Sequence, residues 1–479
     1  MLELESTYTS LDARLFTFAH AAAMPENRSL LFNTKLAEDI GLSALEHHPE
    51  RSSILSGQKK LYGSRPFAQA YAGHQFGHFT ILGDGRALVL GEWTDPQSQR
   101  WDIQLKGSGP TAYSRRGDGL ATTSAMLREY LISECMAGLG IATSRSLSVV
   151  DTGLPVFREF EHKGAVLARI AKSHIRVGTF EYVAQLHDIK ALREFTDYVI
   201  ARHYPEALDA VHPTMYFLQT VIAQQVDLIV QWMRVGFIHG VMNTDNMSIA
   251  GETIDYGPCA FMDAFDWGTV FSSIDRQGRY AFGRQAPIAQ WNLACLASAL
   301  LPLLHEDQEQ AVRMAQECIN GFVPLYEKAF ADMMRQKLGF TKHVQGDLAF
   351  IDELTAWMQS HEADYTHTFL ALESIDFRNS EIFMSPAFDA LIQEHHKLLT
   401  LAGITVEECQ ACMRKVNPYF IPRNALVEQA LHAASTSNDY TLFHQLLTAG
   451  QQPYRMIPDQ AEMYKAPEHR ASYQTFCGT

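Results

Sequence analysis

The sequence predicts an α+β protein of two lobes: an antiparallel sheet with one main helix, then a mostly helical lobe with a helical C-terminal extension. Three observations carry this expectation. Apolar–polar alternation broken by glycine turns marks the early chain, as in HFTILGDGRALVLGEW and RWDIQLKGSG. One long helix-periodic stretch, TSAMLREYLISECMAG, interrupts these strands. Beyond SHIRVGTFEY, apolar residues recur at helical spacing for most of the remaining chain. The boundaries suggested are 1–170 for the sheet lobe with an N-terminal extension, 171–400 for the helical lobe, and 401–479 for the extension and tail.

With 479 residues and 47 % hydrophobic content, the chain can bury cores large enough for such lobes. Its 39 basic and 54 acidic residues leave a formal charge of −15, which argues against a nucleic-acid or anionic-membrane binder, since both need a cationic surface. The opening MLELESTYTSLDARLF has no basic region followed by an apolar run. The longest near-apolar stretch, 291–304, is broken by Asn292 and Pro302 and is too short to span a bilayer. A soluble, cytoplasmic protein is expected.

Taken in order, the first element is a hairpin around Asp84 and Gly85, where Gly83 and Gly85 allow a tight turn and close approach of backbone to a ligand. In the next strand Trp101, Ile103 and Leu105 alternate with Asp102, Gln104 and Lys106, so Lys106 projects from a polar face, by default a solvated one. The segment SRRGDGLATT then reads equally as an anion-binding nest or as a flexible basic turn. The helix over about 123–138 places Glu129 on a face with Met126 and Met136, where a carboxylate needs a partner. In AVLARIA, Arg169 lies opposite Val166, Ala168 and Ile170, and Arg176 follows. On local grounds both arginines read as surface ion-pair donors; in a phosphate cleft they would make forked hydrogen bonds to oxygens. A long helix through Leu218, Val221, Ile229 and Trp232 should end at Gly236, an apolar helix should follow around 291–301, and Asn424 is a candidate cap for a helix running to about 436.

The most informative stretch is FIHGVMNTDNMSIAGETIDYG, residues 237–257. Kinase-type phosphotransferases carry His-Arg-Asp or His-Gly-Asp, four residues, Asn, and then a strand ending in Asp-Phe-Gly. Here His239, Gly240, Asn246 and Asp255-Tyr256-Gly257 keep that pattern, but Val241 stands where the base should be and can take no proton. A new carboxylate, Asp245, precedes Asn246. The metal-holding pair is kept while the base has moved, which points to altered nucleotide chemistry. The order of glycine hairpin, strand lysine and helix glutamate also matches a kinase N-lobe.

On the motifs YAGHQFGHF, LGDGRA, LKGSGPTAYSRRGDG, REYLISE, ARIAKSHIRVGTFE, HGVMNTDNMSI and DYGPCAFMD, the chain resembles the selenoprotein O (SelO/YdiU) family over nearly its whole length. That resemblance implies a protein-kinase-like bilobal fold and protein adenylyltransferase activity. ATP is then bound in a flipped orientation, and AMP passes to a Ser, Thr or Tyr hydroxyl of a protein. The family was described as pseudokinases because the usual catalytic Asp is absent. Carried onto this sequence, the resemblance implies that Gly83, Gly85 and Arg86 cover the nucleotide and that Lys106, paired with Glu129, contacts its phosphates. Asp118 and Gly119 line the site, and Arg169 and Arg176 hold the departing phosphates. Asp245 accepts the proton, while Asn246 and Asp255 hold Mg²⁺ or Mn²⁺. The sequence leaves open whether UTP replaces ATP.

The alternatives are a protein or small-molecule kinase, against which Val241 counts, and a non-catalytic nucleotide-binding scaffold, against which the retained Lys106, Glu129, Asn246 and Asp255 count. Seven cysteines in so long a chain form no disulfide framework. Cys409 and Cys412 make a C-x-x-C in a helix-like stretch with no second pair. His74 and His78 have H-x-x-x-H spacing, but Gly73 and Gly77 argue against a zinc helix, and both read as structural histidines. Cys477 fills the family's selenocysteine position, so the resemblance keeps a redox role open there.

Overall fold

A computed structural model describes residues 3–378, 380–457, 463–465 and 473–475 of the chain. Eight strands form one antiparallel sheet: β1 (Phe16–Phe18), β2 (Arg28–Phe32), β3 (Phe67–Gln75), β4 (His78–Gly83), β5 (Ala87–Thr94), β6 (Arg100–Lys106), β7 (Arg145–Phe157) and β8 (Glu161–Ala171). Their spatial order is β1-β3-β5-β6-β8-β7-β2, with β4 paired to the far half of β3. The helices α1 (Thr34–Asp39) and α2 (Arg51–Leu55) cover one face. Leu36, Ile40, Ile54 and Leu55 pack there against Leu88, Ile103, Leu105, Val166 and Ile170. Against the other face lies α3 (Thr123–Gly138), which starts on the Thr122 side-chain cap and buries Leu127, Leu131 and Cys135 with Val149 and Leu167.

This two-sided cover corrects the expectation of a solvated lysine. The alternation in β6 is as read, but Asp102, Gln104 and Lys106 are at most 6 % exposed. Asp102 accepts from Arg202 at 2.6 Å, and Lys106 meets α3. The surface reading of Arg169 and Arg176 is corrected for the same reason, since both are 2 % exposed.

The rest is mostly helical. In order come α4 (Val177–Gln185), α5 (Ile189–His203), α6 (Pro213–Val235) and α7 (Gln285–Leu304). They are followed by α8 (Gln308–Asn320), α9 (Phe322–Lys337), α10 (Asp347–Ser360) and α11 (Tyr365–Glu373). The last four are α12 (Pro386–Ala402), α13 (Val406–Val416), α14 (Asn424–Ser437) and α15 (Thr441–Gln451). Gly236, at φ +72°, ends α6 in the left-handed conformation that glycine tolerates. Residues 237–238 and 260–261 then pair as the short strands β9 (Phe237–Ile238) and β10 (Ala260–Phe261), closing the loop that carries His239, Asp245, Asn246 and Asp255.

The apolar stretch at 291–304 belongs to a longer run: residues 282–304 suffice in length and composition to cross a membrane, alone among the described residues. Most of that run is α7, which packs against α4, α6 and α8. Asn424 is not the cap of α14, whose N-cap is Arg423. Its amide instead binds the backbone of β10, accepting from Phe261 N–H and donating to Phe261 O at 2.9 Å. Cys409 and Cys412 lie on α13 and direct their thiols to the carbonyls of Leu338 and Gln336. All six described cysteines are free thiols; Cys477 lies outside the described residues.

Candidate active site

Lys106 ends β6 beside β8, in which Arg169 stands opposite Gln104 in register. Lys106 Nζ donates to Glu129 Oε2 at 2.6 Å and to Asp255 Oδ1 at 2.7 Å. Arg169 Nη1 donates to Glu129 Oε1 at 3.0 Å and to Asp255 Oδ1 at 2.8 Å, while Nη2 donates to Gln104 Oε1. Arg176, just before α4, places Nη2 3.5 Å from Asp255 Oδ2 and Nη1 3.7 Å from Asp84 Oδ1. Its guanidinium lies 4.4 Å over the Tyr71 ring, which fixes the plane of the fork.

Three buried cations thus converge on one carboxylate. Burial pushes the Asp255 carboxyl up, but Lys106, Arg169 and Arg176 together hold it well below the usual range. The backbone at Asp255 sits at φ +61°, a left-handed conformation that Asp tolerates better than most residues. That bend lies directly after Ile254, whose carbonyl is 2.9 Å from His239 Nε2. Burial keeps the imidazole neutral by lowering its pKa, so Nε2–H donates and ties the start of the 239–246 loop to the segment carrying Asp255.

Asp245 and Asn246 occupy a single turn of 3₁₀ helix, Thr244–Asn246. The turn packs against β3 at Gly73, where a Cβ would lie 2.2 Å from Asp245 Oδ1, so any side chain there would displace the Asp245 carboxylate. Oδ1 is buried with no hydrogen-bond partner. Burial pushes the carboxyl up to about 6, against the pull of Arg176 and of a hydrogen bond from Gln75. Asn246 donates Nδ2–H to Val241 O at 2.9 Å, which commits the amide nitrogen and leaves its oxygen as a ligand atom. An amide oxygen and a carboxylate next to an orphaned carboxylate oxygen make a donor set that fits a hard divalent cation.

The hairpin expected around Asp84 and Gly85 is not formed: β4 and β5 both pair with β3 and not with each other, so 84–86 is a break in one continuous edge and the tight turn falls at Phe76–Gly77. A Cβ on Gly83 would fall 2.3 Å from Tyr113 Cγ, and one on Gly85 would fall 3.0 Å from Tyr113 O. The 83–86 link is therefore seated on the 108–120 loop, with Thr111 Oγ1 donating to Asp84 O at 2.6 Å. Arg86 is half-buried beside it. Asp118 stands apart from the three cations: it is exposed and pairs with Arg158 at 2.8 Å. Gly119 is buried at φ +68° against the Gly109 carbonyl.

Sequence reasoning missed Asp84, Gln104 and Tyr71 as members of the site. Asp84 is buried and its carboxyl is raised by that burial, despite Arg176 and a hydrogen bond from Gln69 N–H. The polar face of β6 was the available signal for Gln104. Tyr71 had only its place in YAGHQFGHF, because its partner Arg176 is far away in the chain.

Buried lysine and arginine side chains around a carboxylate, beside an amide and a second carboxylate, define the site of an enzyme that handles phosphate groups. The sequence profile of the family described as protein adenylyltransferase SelO matches residues 1–451. The chain belongs to this family. It is 50 % identical over 480 residues to a protein of Alkaliphilus metalliredigens named protein nucleotidyltransferase YdiU, covering 99 % of this chain and 97 % of the relative. Proteins of the same name from Bacillus cytotoxicus and Brevibacillus brevis are each 49 % identical, at 99 % and 97 % coverage.

Proposed function

We propose that this chain transfers AMP from ATP to serine, threonine or tyrosine hydroxyls of proteins, on a protein-kinase-like fold with lobes at 1–170 and 171–400 and an extension at 401–479. The observation that carries this reading is the buried Asp245 carboxylate beside the three-cation cluster, in a loop whose usual base position is Val241. With its pKa near 6, Asp245 is largely ionised at neutral pH yet more basic than an ordinary aspartate, which suits it to accept the acceptor hydroxyl's proton. The oxygen so activated attacks the α-phosphorus, the bond to the β-phosphate breaks, and pyrophosphate leaves. Arg169, Arg176 and Lys106 exchange their contacts with Asp255 for the charge on that leaving group, at no cost in reorganising bulk water. Asn246 and Asp255 would hold Mg²⁺ or Mn²⁺, which supplies charge neutralisation of the phosphates. The free thiols of the described cysteines fit a cytoplasmic setting.

The test uses ATP labelled at the α or the γ phosphate, with Mg²⁺ or Mn²⁺, and follows label into the chain itself and into a cell extract. Transfer from the α position, lost in Asp245→Ala and Asp255→Ala, is expected. Transfer from the γ position alone would make the protein a kinase and overturn this reading.

A further inference from the structure

Beside the catalytic turn lies a cavity of about 640 Å³ that the chemistry above leaves unused. Its lining includes His74 of β3, Glu181 of α4 and Cys295 of α7. Phe79 and Trp291 form apolar walls and pack edge-on against the His74 ring, with centroids 5.3 and 5.0 Å away. The ring is thereby held with Nδ1 turned to Glu181, 2.5 Å from Oε1. A ring nitrogen of His74, a Glu181 carboxylate oxygen and Cys295 Sγ all lie within 4.8 Å of one another.

A plain histidine–glutamate hydrogen bond with a thiol nearby would account for part of this. It does not account for Glu181, which is 5 % exposed. The Thr244 hydroxyl and the Cys295 thiol lie near its carboxylate, but Oε2 makes no hydrogen bond of ordinary geometry. Leaving a buried carboxylate oxygen without a partner is costly. Burial raises the Glu181 carboxyl, and burial together with Glu181 pushes the Cys295 thiol up to about 12. A cation placed among the three donors removes that penalty.

We propose that His74, Glu181 and Cys295 bind a Zn²⁺ ion, with the fourth coordination position facing the cavity. Imidazole nitrogen, carboxylate oxygen and thiolate are all zinc ligands, and three protein donors plus an open position is a common zinc arrangement. One thiolate and one carboxylate neutralise the dication, so the buried complex carries no net charge. As the S–Zn bond forms, the Cys295 S–H bond breaks and its proton goes to solvent. His78 takes no part: it begins β4, opposite Gln75 in register. His74 N–H donates to Thr244 Oγ1 at 2.8 Å, so the ion would tie β3, α4 and α7 to the turn that carries Asp245.

Co²⁺ is the probe, titrated into the full-length chain after chelator treatment. The expected result is a thiolate-to-cobalt charge-transfer band that saturates at one equivalent and is displaced by Zn²⁺. The band should persist in Asp255→Ala, disappear in Cys295→Ser, and require at least tenfold more Co²⁺ in Glu181→Gln. Zn²⁺ should raise the Tm of the wild-type chain and leave that of Cys295→Ser unmoved. Circular dichroism of the metal-free variants establishes that they are folded, and Glu181→Gln gives the same reading should Cys295→Ser fail. Absence of the band in the wild-type chain, or its survival at full intensity in Cys295→Ser, overturns the proposal.

Discussion

Asp245 shows how a residue can be placed against its own stability. Its Oδ1 is buried without a partner, and burial raises its pKa, so the fold would favour a neutral group there. Asp245→Asn keeps the shape and removes the charge. Nucleotidyl transfer should fall by about 10²–10⁴-fold, the usual worth of a positioned base. Thermal unfolding should show a Tm equal to or above the wild-type value, because leaving such a group unsatisfied costs about 1–3 kcal/mol. A variant that loses activity together with several degrees of Tm would mean that Asp245 is structural. This position was legible in the sequence as a carboxylate displaced from the expected base, since chain spacing alone identifies it. The orphaned oxygen was not legible, because it is made by Gly73, Gly178 and Ala72 closing over the turn from other elements.

The elements matter through what they hold. Helix α3 carries Glu129, and its position is set from behind by the C-terminal extension: α14 and α15 both pack on it. A Cβ at Gly138 would sit 2.0 Å from Gly450 O, a backbone atom that cannot swing away. Gly138→Ala should therefore push α15 off α3. Overpacking of this kind costs about 1–3 kcal/mol, more than the ~1 kcal/mol of helix propensity gained. A lower Tm and a lower kcat/KM are expected; an unchanged Tm would show that α15 yields freely. The extension is also bound by charge. Arg423 donates to Asp364 at 2.7 and 3.1 Å and to Asp263 at 2.6 Å. Against the effect of burial, Arg423 holds the Asp364 carboxyl below its usual range. The stability from that depressed value is fully present above the unfolded pKa of about 3.9 and is lost as pH falls through the folded one. Between about pH 5 and pH 2, the Tm of Asp364→Asn should fall less steeply than that of the wild-type chain. Equal slopes would show that the pair contributes nothing to acid sensitivity. The helix at 123–138 was readable to its bounds, since periodicity and the Thr122 cap are local signals. The role of Asn424 was not, because its amide is claimed by β10, remote in sequence.

Across the whole molecule, the site joins the sheet to the helical part through charge: Lys106 and Arg169 come from strands, while Asp255 comes from the loop after α6. A ligand that binds here should stabilise the folded chain globally. ATP with Mg²⁺ or Mn²⁺ at one hundred times its Kd adds about 2.7 kcal/mol. A Tm rise is expected with both together and a much smaller one in Asp255→Ala; equal shifts in the two chains would place the nucleotide elsewhere. The sequence by itself determined the α+β class, the order of sheet and helices, the main helix, the Asp245–Asn246–Asp255 spacing and the family. All of these rest on local periodicity, turn chemistry and short motifs, which the chain carries wherever it folds. Only the tertiary structure decided that Lys106, Arg169 and Arg176 are buried and converge on one carboxylate, and that β6 is covered on both faces. It also decided that His74, Glu181 and Cys295 meet beside the Thr244–Asn246 turn. Those facts depend on packing between segments far apart in sequence, where alternation states which side a residue faces but not what covers that side.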